Sequence, residues 1–227
     1  GETRTNIKVC EKNGVLTELN EPGPLITEKQ VEELKDKLLR YAGTGTLFVL
    51  SGSIPAGVPE DTYAKIIRMI HEKGAEVLLD ADGNAFRLGL EALPDIIKPN
   101  CAELEEYAGM TGGLSEEGII KTAEEFRKKG IGTVAVSMGQ SGALFLLGEK
   151  RARCPALPVK VSSTVGAGDA MVAGLALARD LQLAEEETLR LCMAVSAGAV
   201  TTSGTKPPPK ELVEKLKKQV MILYSDL

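Results

Sequence analysis

Three observations predict an α/β fold with a mostly parallel sheet covered by helices on both faces. Short apolar runs alternate with segments of helical spacing, Gly, Pro and Asn cluster at the junctions, and small polar loops follow the runs. A continuous apolar run bounded by turn residues reads as a strand buried on both sides, which requires helical cover above and below the sheet.

The elements follow in order. Asn13-Gly14 lies between Ile7–Cys10 and Val15–Leu19, the strongest short-range signal for a β-hairpin. Thr27-Glu28-Lys29-Gln30 forms a capping box, and Val31, Leu34, Leu38 and Leu39 keep helical spacing up to Gly43. Leu47–Leu50 reads as a buried strand, followed by a Gly/Ser/Pro loop to Pro59 and a helix to Gly74. Val77–Leu79 ends in Asp80, and Ile96-Ile97 precedes Lys98-Pro99-Asn100 and a helix through Tyr107. A helix from Ser115 to Lys129 stops at Gly130, then Thr133–Val136 forms a strand. Ala143–Leu147 and Ala156–Val161 are expected to be antiparallel strands at one edge. Helices over Ala167–Arg179, Glu185–Thr202 and Pro208–Tyr224 are expected to close the chain.

Composition sets the outer limits. With 227 residues, 43% apolar and 26% charged, the chain is expected to fold as one packed domain over 1–227. A net charge of −5 argues against nucleic-acid binding, which needs a basic face. No apolar run approaches the roughly 18–20 residues that span a bilayer, and no basic-then-apolar leader is visible. The expectation is a cytoplasmic protein without membrane partners. Cys10, Cys101, Cys154 and Cys192 are scattered, with no C-x-x-C pair, and read as reduced thiols. The single histidine, His71, reads as the exposed end of a helix, so His-dependent nucleophilic catalysis is not expected.

Ligands of such sheets bind beyond the C-terminal ends of the strands. The strongest signal stands in such a loop: Ser163-Thr164-Val165-Gly166-Ala167-Gly168-Asp169-Ala170-Met171-Val172-Ala173-Gly174. Small residues at 166–168 let the amides of a helix start converge on an anion, and the helix dipole adds to the attraction. Asp169, in the first turn, would then sit where a carboxylate can take the proton of an attacking hydroxyl. The plain alternative is a glycine-rich helix start with an acidic residue favoured by the dipole. Met171 breaks a dinucleotide fingerprint, and no Gly-Lys dipeptide exists for a P-loop.

The run from Ser163 to Gly174 resembles the C-terminal signature of the ribokinase-like family of carbohydrate kinases. The resemblance implies a ribokinase-like fold, ATP and Mg²⁺ as cofactors, Asp169 as base, and Gly166, Ala167 and Gly168 as the anion hole. Lys98-Pro99-Asn100-Cys101-Ala102-Glu103 resembles a second element of that family, which implies Asn100 and Glu103 at the water and Mg²⁺ around the ATP phosphates, with Lys98 nearby. The same residues also fit an Asn cap with Glu at N3, and the two readings can coexist. Ser137-Met138-Gly139-Gln140-Ser141-Gly142 resembles the nucleotide-side loop, implying Ser137, Gly139 and Gly142 at ATP. A glycine turn between strands explains the same residues. Ser196 and Gly198 fall where relatives border adenine, and close helix packing accounts for their size equally well.

Residues 1–7 and Ser51-Gly52-Ser53-Ile54-Pro55 resemble the branch of the family whose substrates already carry a phosphate. Arg4 is implied as the phosphate grip, since a guanidinium offers two parallel hydrogen bonds, and Ser51 as a contact to the sugar or its phosphate; Arg4 also reads as an exposed terminal charge. Together with Asn20–Pro24 and Leu79–Gly83, these runs are most similar to kinases of fructose 1-phosphate, with tagatose 6-phosphate as the near alternative. Residues 1–24 are expected to contain part of a β lid, through which relatives pair as homodimers. The sugar-binding segment that opens family members is expected to be absent from this chain. A nucleotide-binding fragment without catalysis is therefore the rival expectation, and a regulatory α/β domain the third.

Overall fold

The computed structural model describes residues 2–10 and 16–226. Strands β1 (Asn6–Cys10) and β2 (Leu16–Asn20) pair antiparallel, with Ile7 opposite Leu19. The two expected strands are therefore present as a separate two-stranded sheet, while the Asn13-Gly14 turn lies outside the described residues.

Helix α1 (Glu28–Leu39) starts at the expected capping box, in which Thr27 and Gln30 satisfy each other's backbone amides. The main sheet then runs β3 (Leu47–Ser51), β4 (Glu76–Asp80), β5 (Ile96–Ile97), β6 (Thr133–Ser137), β7 (Ala143–Leu147), β8 (Lys150–Cys154) and β9 (Leu223–Asp226), in that spatial order. Strands β3 to β6 are parallel, and β7 to β9 extend the sheet antiparallel at one edge. The other helices are α2 (Thr62–His71), α3 (Gly83–Leu90), α4 (Cys101–Ala108), α5 (Glu116–Lys129), α6 (Ala167–Asp180), α7 (Glu185–Ala199) and α8 (Lys210–Lys217).

The two-residue alternation of the strands divides the core into two layers. Val77, Leu79, Ile97, Val134 and Val136 pack against Ile67, Ile70, Phe86, Leu104 and Phe126 of α2 to α5. On the opposite face, Leu78, Ile96, Ala135 and Phe145 pack against Met171, Leu175, Cys192 and Leu216 of α6 to α8. A side chain such as Phe126, wholly removed from water, contributes about 1.5–3 kcal/mol. No helix among the described residues is long and apolar enough to cross a membrane.

The structure corrects four sequence expectations. Residues 156–161 form no strand, because Pro155 and Pro158 remove ladder donors; the strand that pairs with β7 is instead Lys150–Cys154, where Ala152 and Cys154 point inward between basic residues. The closing helix ends at Lys217 rather than Tyr224, and the β-prone tail pairs with β8 as β9. Helix α3 was not expected, since two glycines in eight residues weaken its pattern; Gly89 lets it lie close on Leu79 of β4. His71 is half-buried rather than exposed, and its Nε2 stands 2.9 Å from Asp95 Oδ2, which also accepts from the Val77 amide.

Candidate active site

The C-terminal ends of β3, β4 and β5 carry Ser51, Asp80 and Lys98. Lys98 is the one buried charged residue among the described residues, at 4% exposure. Burying an ammonium is costly unless it is paired, and Asp80 supplies the partner, with Oδ1 3.0 Å from Lys98 Nζ. Asp80 Oδ2 accepts from Ser51 Oγ at 3.0 Å. One carboxylate thus joins residues from two flanking strands. Behind it, the Tyr63 hydroxyl lies 3.1 Å from the carbonyls of both Ser51 and Gly52 and braces the turn after β3.

Lys98 also reaches the opposite side of the site. A Cβ built on Gly168 would stand 3.5 Å from Lys98 Nζ, so the ammonium faces the first turn of α6 without an intervening side chain. That turn begins at Gly166, the helix N-cap at φ +81°, a conformation that suits glycine; no cap side chain occupies its amides, and of those at 166–168 only Ala167 donates within the described residues, to the Thr164 carbonyl at 3.4 Å. Unfilled helix amides beside a buried cation make an anion cradle. Asp169 lies exposed on the same turn, and its carboxylate makes no hydrogen bond or ion pair among the described residues. The elements expected as base, anion hole and phosphate-side lysine are therefore neighbours.

Asn100 and Glu103 form a full capping box on α4. Asn100 accepts from the Glu103 amide at 3.0 Å, and the Glu103 carboxylate accepts from the Asn100 amide at 2.9 Å and its Nδ2 at 2.6 Å. Burial pushes the Glu103 carboxyl up, with the charges of Asp80 and Asp82 adding to the rise, while the Asn100 amide and Lys98 oppose it. The cap is thus realised, and Lys98, Asp80 and Asp82 are the charged groups that act on its carboxylate. Among the described residues, no group of three acidic, His or Cys side chains is placed to hold a metal. This donor set fits a Mg²⁺ carried mainly by phosphate oxygens and water, with a single carboxylate nearby.

The loop expected on the nucleotide side is only partly brought to this centre. Ser137 pairs with Asn100 through an isolated parallel bridge, which sets the end of β6 beside the start of α4. Gly139 opens a 3₁₀ turn at φ +55°. Gly142 serves packing: at φ +90°, a Cβ there would collide with the Cys154 carbonyl oxygen. Gly198 does likewise, since a Cβ would meet Pro208 at 2.7 Å. Ser196 donates its hydroxyl to the Ala167 carbonyl at 3.0 Å, tying α7 to the first turn of α6. For Gly142, Gly198 and Ser196, the structural reading is the one the geometry displays. Arg4 stands ahead of β1 with its stem against Gly23, exposed and without an ion pair among the described residues.

Sequence reasoning gave no role to Asp80 or Tyr63. Asp80 was findable, because a carboxylate at the end of a buried apolar run obeys the same strand-end rule that selected Ser51 and Lys98. Tyr63 gives no such signal, as its hydroxyl reaches the loop only after α2 has packed.

Comparison with known proteins gives the family. A model of the pfkB family of carbohydrate kinases matches residues 1–212. The 1-phosphofructokinase of Rhodobacter capsulatus is 40% identical over 227 residues, covering 98% of this chain and 71% of that protein. The 1-phosphofructokinase of Haemophilus influenzae is 35% identical, again covering 98% and 71%. Among solved structures, phosphofructokinase-2 from Escherichia coli in complex with potassium superposes with a TM-score of 0.88 at 28% identity, over 96% of this chain and 71% of that one. With a family model matched over residues 1–212 and curated relatives at 40% and 35% identity, the chain belongs to the pfkB family of carbohydrate kinases.

Proposed function

We propose that this phosphotransferase moves the γ-phosphoryl group of ATP to the free primary hydroxyl of D-fructose 1-phosphate. The supporting observation is one arrangement: buried Lys98 facing the open amide turn of α6, with unpaired Asp169 on that turn. Fructose 1-phosphate is preferred to tagatose 6-phosphate because the curated relatives at 40% and 35% identity are named 1-phosphofructokinase. The domain is read as the whole of 1–227, working in the cytoplasm and pairing with a second copy through β1 and β2.

In this reading, Asp169 receives the proton as the sugar hydroxyl attacks, and the amides at 166–168 stabilise charge on the moving phosphoryl group. Lys98 holds phosphate oxygens from the β5 side, and Arg4 grips the phosphate already on the sugar through its two parallel donors. Mg²⁺, when bound, neutralises charge on the β- and γ-phosphates. Glu103, oriented by Asn100, is the carboxylate assigned to it through water, while Ser137 and Gly139 border the nucleotide.

The test is kinetic, on the whole protein that contains this chain, with both phosphohexoses offered. Asp169→Asn should lower ADP release by about 10²–10⁴-fold while leaving binding of a non-hydrolysable ATP analogue intact. Near-normal turnover in a folded Asp169→Asn protein would remove Asp169 from the base role.

A further inference from the structure

We propose that Asp80 is a positioning residue that clamps the two sides of the site together, aiming the Lys98 ammonium at the phosphoryl side and fixing the Ser51 hydroxyl as an acceptor on the sugar side. The proposal rests on the kinase reading above. Its physical basis is the pair of 3.0 Å contacts, one to each carboxylate oxygen, from residues on the two strands flanking β4. The side chains of Lys98 and Asp80 are 5% and 15% exposed, so water competes little for either.

Two consequences follow from donor counting. Lysine has three N–H donors, so one bond to Asp80 leaves two for oxygens beside Gly168. The clamp therefore directs the lysine without consuming it. Serine has one proton, and Ser51 spends it on Asp80. Only lone pairs then remain on Ser51 Oγ, so it accepts from a sugar hydroxyl and is a poor partner for a phosphate dianion, which has no proton to give. This narrows the role of Ser51 to hydroxyl recognition and leaves the sugar phosphate to cationic groups. The Tyr63 brace on the carbonyls of Ser51 and Gly52 fixes the backbone from which Ser51 reaches Asp80.

Because Asp80 and Lys98 cancel in charge, the carboxylate adds no attraction for nucleotide, and its value lies in placement. Asp80→Asn should therefore bind an ATP analogue as tightly as the parent, or more tightly, yet turn over about 10–100-fold more slowly, the scale expected for misplaced catalytic groups. The phosphohexose KM should rise in Asp80→Asn, and that rise should vanish where Ser51 is already alanine. The turnover loss should likewise vanish in a Lys98→Met background, the non-additivity that marks residues acting through one another. A merely folding-related role would lower the active fraction equally in every background and leave KM unchanged.

Three results would overturn the clamp: additive effects in both cycles, ATP-analogue binding weakened more than about tenfold in Asp80→Asn, or a raised Mg²⁺ requirement, which would make Asp80 a metal ligand. Failure of the kinase reading looks different, because the parent itself would release no ADP with either phosphohexose. The clamp is then judged on analogue binding alone, where retention in Asp80→Asn supports it and loss refutes it.

Discussion

Replacing Lys98 by methionine keeps the length of the side chain and removes its charge, leaving the Asp80 carboxylate in a site that is 15% exposed. Breaking a buried ion pair from one side costs about 3–5 kcal/mol, because the surviving charge is left without compensation. Asp80 retains the Ser51 hydroxyl as a donor, so the lower end of that range applies. For a chain of this size, about 3 kcal/mol corresponds to a melting point lowered by about 6–12 °C. The assay is thermal unfolding of Lys98→Met beside the Lys98→Met/Asp80→Asn double variant, in which both charges are gone. The double variant should recover at least about half of the loss, since a neutral pair of similar volume carries no stranded charge. A single variant melting within about 2 °C of the parent, or a double variant no better than the single, would show that Lys98 and Asp80 are not a desolvated pair.

Gly142→Ala should destabilise by about 2 kcal/mol or more, because the residue sits at φ +90° and its Cβ would press on the Cys154 carbonyl; chemical denaturation measures it, and an unchanged midpoint would contradict the packing role. Glu103 has a carboxyl raised by burial, so the folded state binds its proton more tightly than the unfolded chain and this group's contribution to stability falls as pH rises through that window. Glu103→Gln, which keeps an N3 amide oxygen for the cap, should therefore gain stability over the parent as pH rises from about 4 to 7; melts showing no such pH trend would refute it. Burial pushes the Cys154 thiol up to about 11 and Cys192 higher still. Under native conditions at mildly alkaline pH, an alkylating reagent should modify the partly exposed Cys101 ahead of both, and site-resolved mass spectrometry would read the order.

The parallel half of the fold was legible because its strands are apolar without interruption and its helices carry explicit punctuation. Thr27 with Gln30, Ser115 and Gly130 each mark a helix boundary that the structure reproduces. The antiparallel edge was harder. Its strand β8 hides two inward residues among three basic ones, and β9 follows a helix whose end carries no glycine stop. Within the site, Gly166–Asp169 and Lys98 were readable as motifs, since backbone freedom at a helix start and a charge at a strand end leave local traces. Asp80 joins Ser51 and Lys98 from residues 29 and 18 positions away, and no local window reports such a partnership. The multiple readings of Ser196, Gly142 and Gly198 arose because a small residue suits a ligand wall and a tight helix or turn alike. Only the packing neighbours separate the two.

The strand order of the main sheet is the order of the sequence, from β3 to β9. From β4 onward each strand meets a neighbour that has already left the ribosome, so the sheet can grow strand by strand as the polypeptide lengthens. The candidate site matures on a different schedule. Ser51, Asp80 and Lys98 come together once β5 is in place, but the helix turn that faces them belongs to α6, on the other side of the sheet, and emerges about 70 residues later. A nascent chain therefore brings Ser51, Asp80 and Lys98 together early and completes the candidate site only when α6 follows.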